Sequence, residues 1–270
     1  MDVRPKLEQK KQHTKNEAQQ PVSRPVPTVD VFGIPISTLD RNETVDYIAN
    51  CINERKSLHV ITNNPIMLMH GLEHPDFYQV LKQADLHVPD GTGLVWAAGV
   101  LAEGVKERVP GIDLMHDLLE RGENYGWRVF LLGASAEVVE ETAGRIAAKY
   151  PRIQVVGWHD GFFSPDEDES IVRRIREASP ELLFVARSLE MQEGWIAANR
   201  QKLNVPCMMG VGGSFDVIAG KVKRAPLLLQ KMRLEWFYRL LRQPSRLTRM
   251  LVLPRFVLRV EREKQKRSRA

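Results

Sequence analysis

One carboxylate falls where an α/β protein does its chemistry. In Leu86-His87-Val88-Pro89-Asp90-Gly91-Thr92-Gly93 the apolar run Leu86–Val88 reads as the end of a short strand. Pro89 is expected to stop ladder pairing, and Gly91 and Gly93 permit a tight turn and close approach of backbone. Thr92 then opens a helix. Asp90 sits at that strand-to-helix turn, and in open α/β sheets ligands bind beyond the carboxyl ends of the strands. Three uses suit an Asp there: helix N-cap, turn former or catalytic carboxylate.

Other strand ends carry polar or small residues. Leu58-His59-Val60-Ile61-Thr62 runs into Asn63-Asn64-Pro65, which is either an Asx turn before a proline or a ligand position. In Glu107-Arg108-Val109-Pro110-Gly111-Ile112-Asp113, Arg108 is a solvated charge or an anion ligand, and Asp113 is expected to cap a helix through about Glu123. Arg128–Gly133 is an apolar strand followed by Ala134-Ser135 and a helix. Strand, small residues, helix is an arrangement that binds phosphate on free N–H groups, although neither GxGxxG nor a Walker lysine is present. Cys207–Val211 ends in Gly212-Gly213-Ser214-Phe215-Asp216, where glycines again meet a helix start.

No metal site is expected. His70, His74 and His87 lack ligand spacing, and the acidic run Asp166–Glu169 sits at a helix start instead of forming a paired-Asp motif at a strand end. Cys51 and Cys207 lie far apart in apolar segments and read as buried free thiols.

These residues need a scaffold, and the pattern supplies one. Thr28–Phe32 is a strand that Gly33 turns into an edge piece, Ile34–Ile36. Asp40 with Glu43 has the spacing of a capping box, opening a helix with Val45, Ile48, Ala49 and Ile52 on one face. Further strands start at Gln154, Leu182 and Cys207, with helices between them. The reading is a doubly wound, Rossmann-like α/β domain with a mainly parallel sheet over 28–220. It follows a polar, disordered leader over 1–27 and precedes a basic amphipathic helical appendage over 221–270.

The appendage is set apart by charge. Residues 221–270 hold 16 Lys/Arg against 3 Asp/Glu, while the other 220 residues hold 23 against 31, so the net +5 hides a basic tail on an acidic body. Leu, Met, Trp and Phe interleave with the arginines. Such helices suit a headgroup interface, where each basic residue contributes ~1 kcal/mol near an anionic leaflet; ordinary helices with a solvated basic face are the alternative. Nucleic acid is not the expected partner, because the acidic body offers no broad basic groove and no recognition motif is present. There is no apolar run of the ~18–20 residues a spanning helix needs and no secretory h-region. The expectation is a cytoplasmic protein, attached peripherally to the inner face of the membrane.

Several of these stretches, in order, resemble one family. They are Thr62-Asn63-Asn64-Pro65, Pro89–Gly93, Glu107–Leu114, Leu131-Leu132-Gly133, Gln192-Glu193-Gly194-Trp195, Gly210–Asp216, Arg224-Ala225-Pro226 and Glu235–Leu240. Over about residues 29–255 the chain is similar to the WecG/TagA/CpsF glycosyltransferases. The resemblance implies inverting, metal-independent transfer of a sugar, typically N-acetylmannosamine, from a UDP-sugar to polyprenyl-diphosphate-linked N-acetylglucosamine. Such transfer serves teichoic acid or related polysaccharide synthesis. It implies that Asp90 is the base and that Thr62, Asn64, Arg108 and Gln192 surround the sugar and diphosphate. Gly91, Gly133, Ala134, Gly212, Gly213 and Asp216 are the accompanying substrate-binding positions. Arg239, Arg246 and Arg249 of the appendage are expected near the leaving diphosphate. The UDP-sugar is a substrate and no cofactor is implied; self-association as a homo-oligomer is in keeping with the family.

One stretch departs from the family pattern. Members carry a Gly and then a Pro-basic pair before Gln-Glu, where this chain has Ala186-Arg187-Ser188-Leu189-Glu190-Met191-Gln192. A different strand-end turn is expected, with consequences for the donor sugar. The alternatives are a glucose- or glucuronic-acid-type donor in exopolysaccharide synthesis, or a nucleotide- or lipid-binding scaffold without catalysis.

Overall fold

The computed structural model describes residues 25–102, 104–232, 235–242 and 247–269. Most of the expected disordered leader, 1–24, lies outside the described residues. Among them, one eight-stranded sheet carries the fold. Its spatial order is β1 (Thr28–Val31), β2 (Ile34–Ser37), β4 (Leu86–Pro89), β3 (Leu58–Asn63), β8 (Cys207–Gly210), β7 (Leu182–Ala186), β5 (Arg128–Gly133) and β6 (Gln154–His159). β1 and β2 are antiparallel, and every other pairing is parallel. Phe32 and Gly33 turn the hairpin with φ of 58° and 82°, as a two-residue hairpin turn requires. The hairpin makes β1 the edge. Ile34–Ile36 is therefore not an edge piece: β2 is inside the sheet, with Ile36 opposite His87 of β4.

Period-two alternation sorts the sheet's side chains between two cores. Val129, Leu131, Leu182 and Phe184 face one side, and Phe130, Leu132, Leu183 and Val185 face the other. The first side is covered by α1 (Arg41–Asn53), α5 (Gly111–Glu123), α6 (Ala136–Lys149) and α9 (Ser214–Ile218). The second is covered by α2 (Pro65–Glu73), α3 (Pro75–Gln83), α4 (Thr92–Leu101), α7 (Asp168–Ala178) and α8 (Leu189–Leu203). This is the doubly wound arrangement. Each large side chain buried here contributes about 1.5–3 kcal/mol.

The capping box forms as the spacing predicts: Glu43 N donates to Asp40 Oδ1 at 2.9 Å, and Asp40 N donates to Glu43 Oε2 at 2.8 Å. Cys51 and Cys207 are free and buried.

The basic segment adds α10 (Leu227–Lys231), α11 (Glu235–Arg242), α12 (Leu247–Met250) and α13 (Val252–Arg267). Its two ends behave differently. α13 lies against α2 and α4, burying Phe256 and Val260 in the core beneath the hairpin. Phe256 meets Phe32 edge-on at 5.8 Å, and Arg267 pairs with Asp30 at 2.8 Å. Residues 228–258, by contrast, supply nine of the 14 large apolar side chains exposed among the described residues, Trp236, Phe237 and Leu241 included. No helix among the described residues is long and apolar enough to cross a membrane.

Candidate active site

The helices that follow β3 and β8 leave the sheet in opposite directions, α2 to one face and α9 to the other. The strand ends between them are left uncovered, which opens a crevice at their carboxyl edge.

Asp90 stands at the head of that crevice. The ladder does not stop at Pro89: Asn63 pairs with Pro89, and the Asp90 N–H donates to the Asn63 carbonyl at 2.8 Å. Successive N–H groups of a strand point to alternate sides, so the bond to β3 falls to Asp90 N and the Pro89 position faces β2, whose register with β4 is Ile36 opposite His87. Nor is Asp90 a cap. Gly91 is the N-cap of α4 and makes no side-chain cap bond. The Asp90 carboxylate is instead held by Arg108, whose Nη2 lies 3.1 Å from Oδ1 and whose Nε donates to the Asp90 carbonyl at 2.5 Å.

Arg108 is itself held from the far side. Its Nη1 is 3.3 Å from Oε2 of Glu235 in α11, whose side chain is only 5% exposed. Glu235 Oε1 lies 3.6 Å from Arg224, and Arg224 donates to both oxygens of Asp113 at 2.5 and 2.8 Å. Charges thus alternate from Asp90 through Arg108, Glu235 and Arg224 to Asp113. The expectation that Asp113 caps α5 is corrected: Pro110 occupies the cap position. Burial pushes the Asp113 carboxyl up, but the hydrogen bonds and charge of Arg224 outweigh it and leave its pKa below the usual value.

Two cavities meet at Asp90. The first, about 460 Å³, is lined by Thr62, Asn64, Asp90, Gln192, Gly212, Gly213 and Asp216, seven of the positions read from the sequence. Arg187, Lys223, Tyr238 and Arg242 complete its charged and aromatic wall. A side recess of about 80 Å³ joins Thr62, Asp90 and Arg108. The second cavity, about 440 Å³, lies on the other side of Asp90 and Asn64. Gly91, Arg108 and Glu235 line it together with Trp96, Trp236, Leu253, Phe256 and Val257.

Asn64 serves both as turn and as wall. Its Oδ1 caps α2 by accepting from Met67 N at 3.0 Å, while the residue borders both cavities. Gln192 is a wall residue whose amide is engaged at both ends. Oε1 accepts from Gly212 N at 3.0 Å, and Nε2 donates to Glu193 Oε1 at 2.7 Å. Glu193 Oε2 meets His59 Nε2 at 2.8 Å, and both of those side chains are buried. A Cβ on Gly210 would come within 2.2 Å of Glu193 Oε1, so only glycine admits this network at the end of β8. On the neighbouring strand, Asn63 Nδ2 contacts His87 Nδ1 at 2.6 Å. Burial, helped by the charge of His59, lowers the His87 pKa to about 4.

Gly133 and Ala134 are not brought to the cavity. Ala134 N donates to the Ala186 carbonyl at 2.8 Å, and a Cβ on Gly133 (φ 126°) would lie 2.2 Å from that oxygen. Their turn seals β5 against β7, and Ser135 caps α6 by accepting from Val138 N. Arg246 lies outside the described residues, as do the side chains of Arg239 and Arg249.

The departing stretch turns without glycine: no residue from Ala186 to Met191 has a positive φ. Sequence reading missed Glu235 and Arg187 as site residues. Glu235 is one of only three acids among 221–270, and that isolation was the available signal. Among the described residues no group of three or more His, Cys, Asp or Glu converges as metal ligands do.

Comparison with known proteins gives a consistent result. The model of the Glycosyl transferase WecG/TagA/CpsF family matches residues 29–270. An N-acetylglucosaminyldiphosphoundecaprenol N-acetyl-beta-D-mannosaminyltransferase of Staphylococcus aureus (strain MW2) is 34% identical over 244 residues, covering 90% of this chain and 95% of that protein. The enzyme of the same name from Bacillus spizizenii is 33% identical over 232 residues, covering 84% and 90%.

Proposed function

On the premise that the chain belongs to the WecG/TagA/CpsF glycosyltransferase family, we propose that it moves N-acetylmannosamine from a UDP-sugar to undecaprenyl-diphosphate-linked N-acetylglucosamine. The observation that carries this reading is the convergence of Thr62, Asn64, Asp90, Gln192, Gly212, Gly213 and Asp216 on one cavity. The relatives' names supply the acceptor class.

In the proposed reaction an acceptor hydroxyl oxygen attacks the anomeric carbon from the face opposite UDP. Asp90 takes the hydroxyl proton, the C–O bond to the diphosphate breaks, and UDP leaves with the electron pair. Arg108 orients Asp90, an inference supported by its bonds to that residue's carboxylate and carbonyl. Cationic side chains, Arg239, Arg246 and Arg249 among them, take up the negative charge on the departing diphosphate. Arginine forks match phosphate oxygens well enough to act in place of a divalent ion. No metal or cofactor is therefore part of the proposal. The polyprenyl chain lies toward the apolar cavity. The exposed apolar and basic residues of 221–270 rest on the anionic inner surface of the cell membrane, in keeping with polysaccharide assembly there.

The test mixes full-length protein with UDP-N-acetylmannosamine and a lipid-diphosphate-N-acetylglucosamine analogue in EDTA. Release of UDP with formation of the disaccharide lipid is expected. Transfer from a different UDP-hexose alone would move the donor assignment, which Arg187 to Leu189 make the natural alternative because they line the cavity. Silence across a UDP-sugar panel removes the reading.

A further inference from the structure

The donor cavity holds a cation that none of the preceding roles uses. Arg187 follows β7 directly, in the stretch where the chain departs from its family. Its stem crosses the Gly161 backbone so closely that a Cβ there would lie 3.3 Å from Arg187 Cγ. Its guanidinium stacks over the Phe163 ring at 4.2 Å from the centroid. That contact fixes the plane of the fork and leaves its edge available. Among the described residues Arg187 has no carboxylate within ion-pair distance, and its buried Nε has no hydrogen-bond partner. Asp168, whose charge acts on it from farther off, already accepts from the Trp195 indole N–H at 2.8 Å.

The rest of the cavity repeats the sign. Lys223 and Arg242 line it as well, and of its two carboxylates, Asp90 and Asp216, the first is already paired with Arg108. A part-buried guanidinium with no carboxylate partner, in a cavity with further cations, calls for a multiply charged oxyanion. Two sources offer a diphosphate, the nucleotide and the lipid. The position favours the nucleotide. Arg187 lines the polar cavity with Gly212, Gly213 and Asp216, and does not line the apolar one beyond Asp90.

We infer that Arg187, with Lys223 and Arg242, binds the diphosphate of the nucleotide donor. The inference rests on the UDP-sugar reading for the identity of the nucleotide, but not for the existence of the anion site.

The experiment measures binding to the full-length wild-type protein, Arg187→Met and Arg187→Lys. UDP, inorganic pyrophosphate and geranyl diphosphate are titrated by calorimetry, and uridine is followed by ligand-observed NMR. The methionine variant should weaken UDP and pyrophosphate about tenfold or more, the scale of losing hydrogen bonds to a charged group. Uridine should be unaffected. The lysine variant should fall between, since it keeps the charge and loses the fork. If the methionine variant does not fold, R187K carries the same comparison of UDP with uridine. Unchanged UDP and pyrophosphate affinity overturns the inference, as does an equal loss for uridine, which would mark a merely structural residue. A loss confined to geranyl diphosphate overturns the assignment to the nucleotide. Pyrophosphate binding that depends on Arg187, without turnover of any UDP-sugar, would instead sink the proposed function and leave the anion site standing.

Discussion

The two cavities beside Asp90 are nearly equal in size, about 460 and 440 Å³, and unlike in origin. The polar one is built largely from strand ends: Thr62 near the end of β3 and Asn64 just beyond it, Arg187 after β7, and Gly212 and Gly213 after β8. Sheet register fixes all of them. The apolar one is built from helices packed across one another, with Trp96 of α4 facing Leu253, Phe256 and Val257 of α13. The rigid sheet edge suits a small polar ligand that needs exact donor placement. The helical cleft suits a flexible apolar chain that needs only area. Asp90 lines both cavities and the Arg108–Glu235 pair borders the second. At this seam, under the proposed function, substrates of opposite chemistry would meet at one carboxylate.

The sharpest way to break this division is at the seam. Asp90→Asn keeps the size and most hydrogen-bonding capacity but cannot accept a proton. Turnover should fall about 10²- to 10⁴-fold, the range for loss of a general base. UDP affinity, measured by calorimetry, should change little. If UDP affinity collapses with turnover, Asp90 is a structural partner of Arg108 and the cavities share a prop instead of a catalyst.

The next largest effect concerns what lies under the polar wall. Gln192 of that wall leads to buried Glu193 and His59, and the neighbouring strands β3 and β4 carry the buried pair Asn63 and His87. His87 titrates near 4 in the folded protein and near 6.5 once unfolded. Its stabilising contribution is therefore full above about pH 6.5 and is lost as pH falls toward 4, because the unfolded chain takes up the proton first. The loss should be on the order of 3 kcal/mol. Urea unfolding at pH 7 and pH 4.5 measures it, and His87→Gln should flatten that difference. An equal slope in the variant would show that other groups carry the acid sensitivity.

What was legible beforehand follows from how far apart the interacting residues lie. The Asp40–Glu43 box spans three residues, and the period-two strands span a handful, so local spacing reveals both. The site was legible because topology brings strand ends together: knowing that Thr62 ends a strand and that Asp90 and Gly212 follow strands almost suffices. The same logic misplaced Gly133 and Ala134. Their turn looks like the others, but β5 is separated from β8 by β7, and that strand order is not written in the turn. Roles set by distant ion pairs were also hidden. Asp90 meets Arg108 18 residues on, and Arg108 meets Glu235 after another 127. Neither pair leaves a periodic trace, so local sequence left cap, turn former and catalytic carboxylate open for Asp90 and pointed to a cap for Asp113.

Glu235 tests whether the seam is tied to the helical side. Glu235→Gln preserves shape while removing the charge between Arg108 and Arg224. Turnover should drop about tenfold, the scale of one charged hydrogen bond. The fall should appear in kcat, with UDP affinity held, since Glu235 does not line the polar cavity. A rise in the UDP dissociation constant would mean that the ion-pair chain reaches the donor side.

The smallest effect belongs to the apolar wall. Trp96 is 39% exposed and touches the cavity without closing the core, so Trp96→Ser should cost little stability. It should raise KM for a long-chain lipid acceptor about fivefold, equivalent to about 1 kcal/mol of lost apolar contact. An acceptor analogue with a chain of one or two isoprene units reaches less of the wall and should respond less. The contrast between chain lengths, at constant UDP affinity, separates the cavities. If both acceptors weaken equally, Trp96 acts on the turn at Gly91 and not on the lipid, and the apolar cavity loses its separate role.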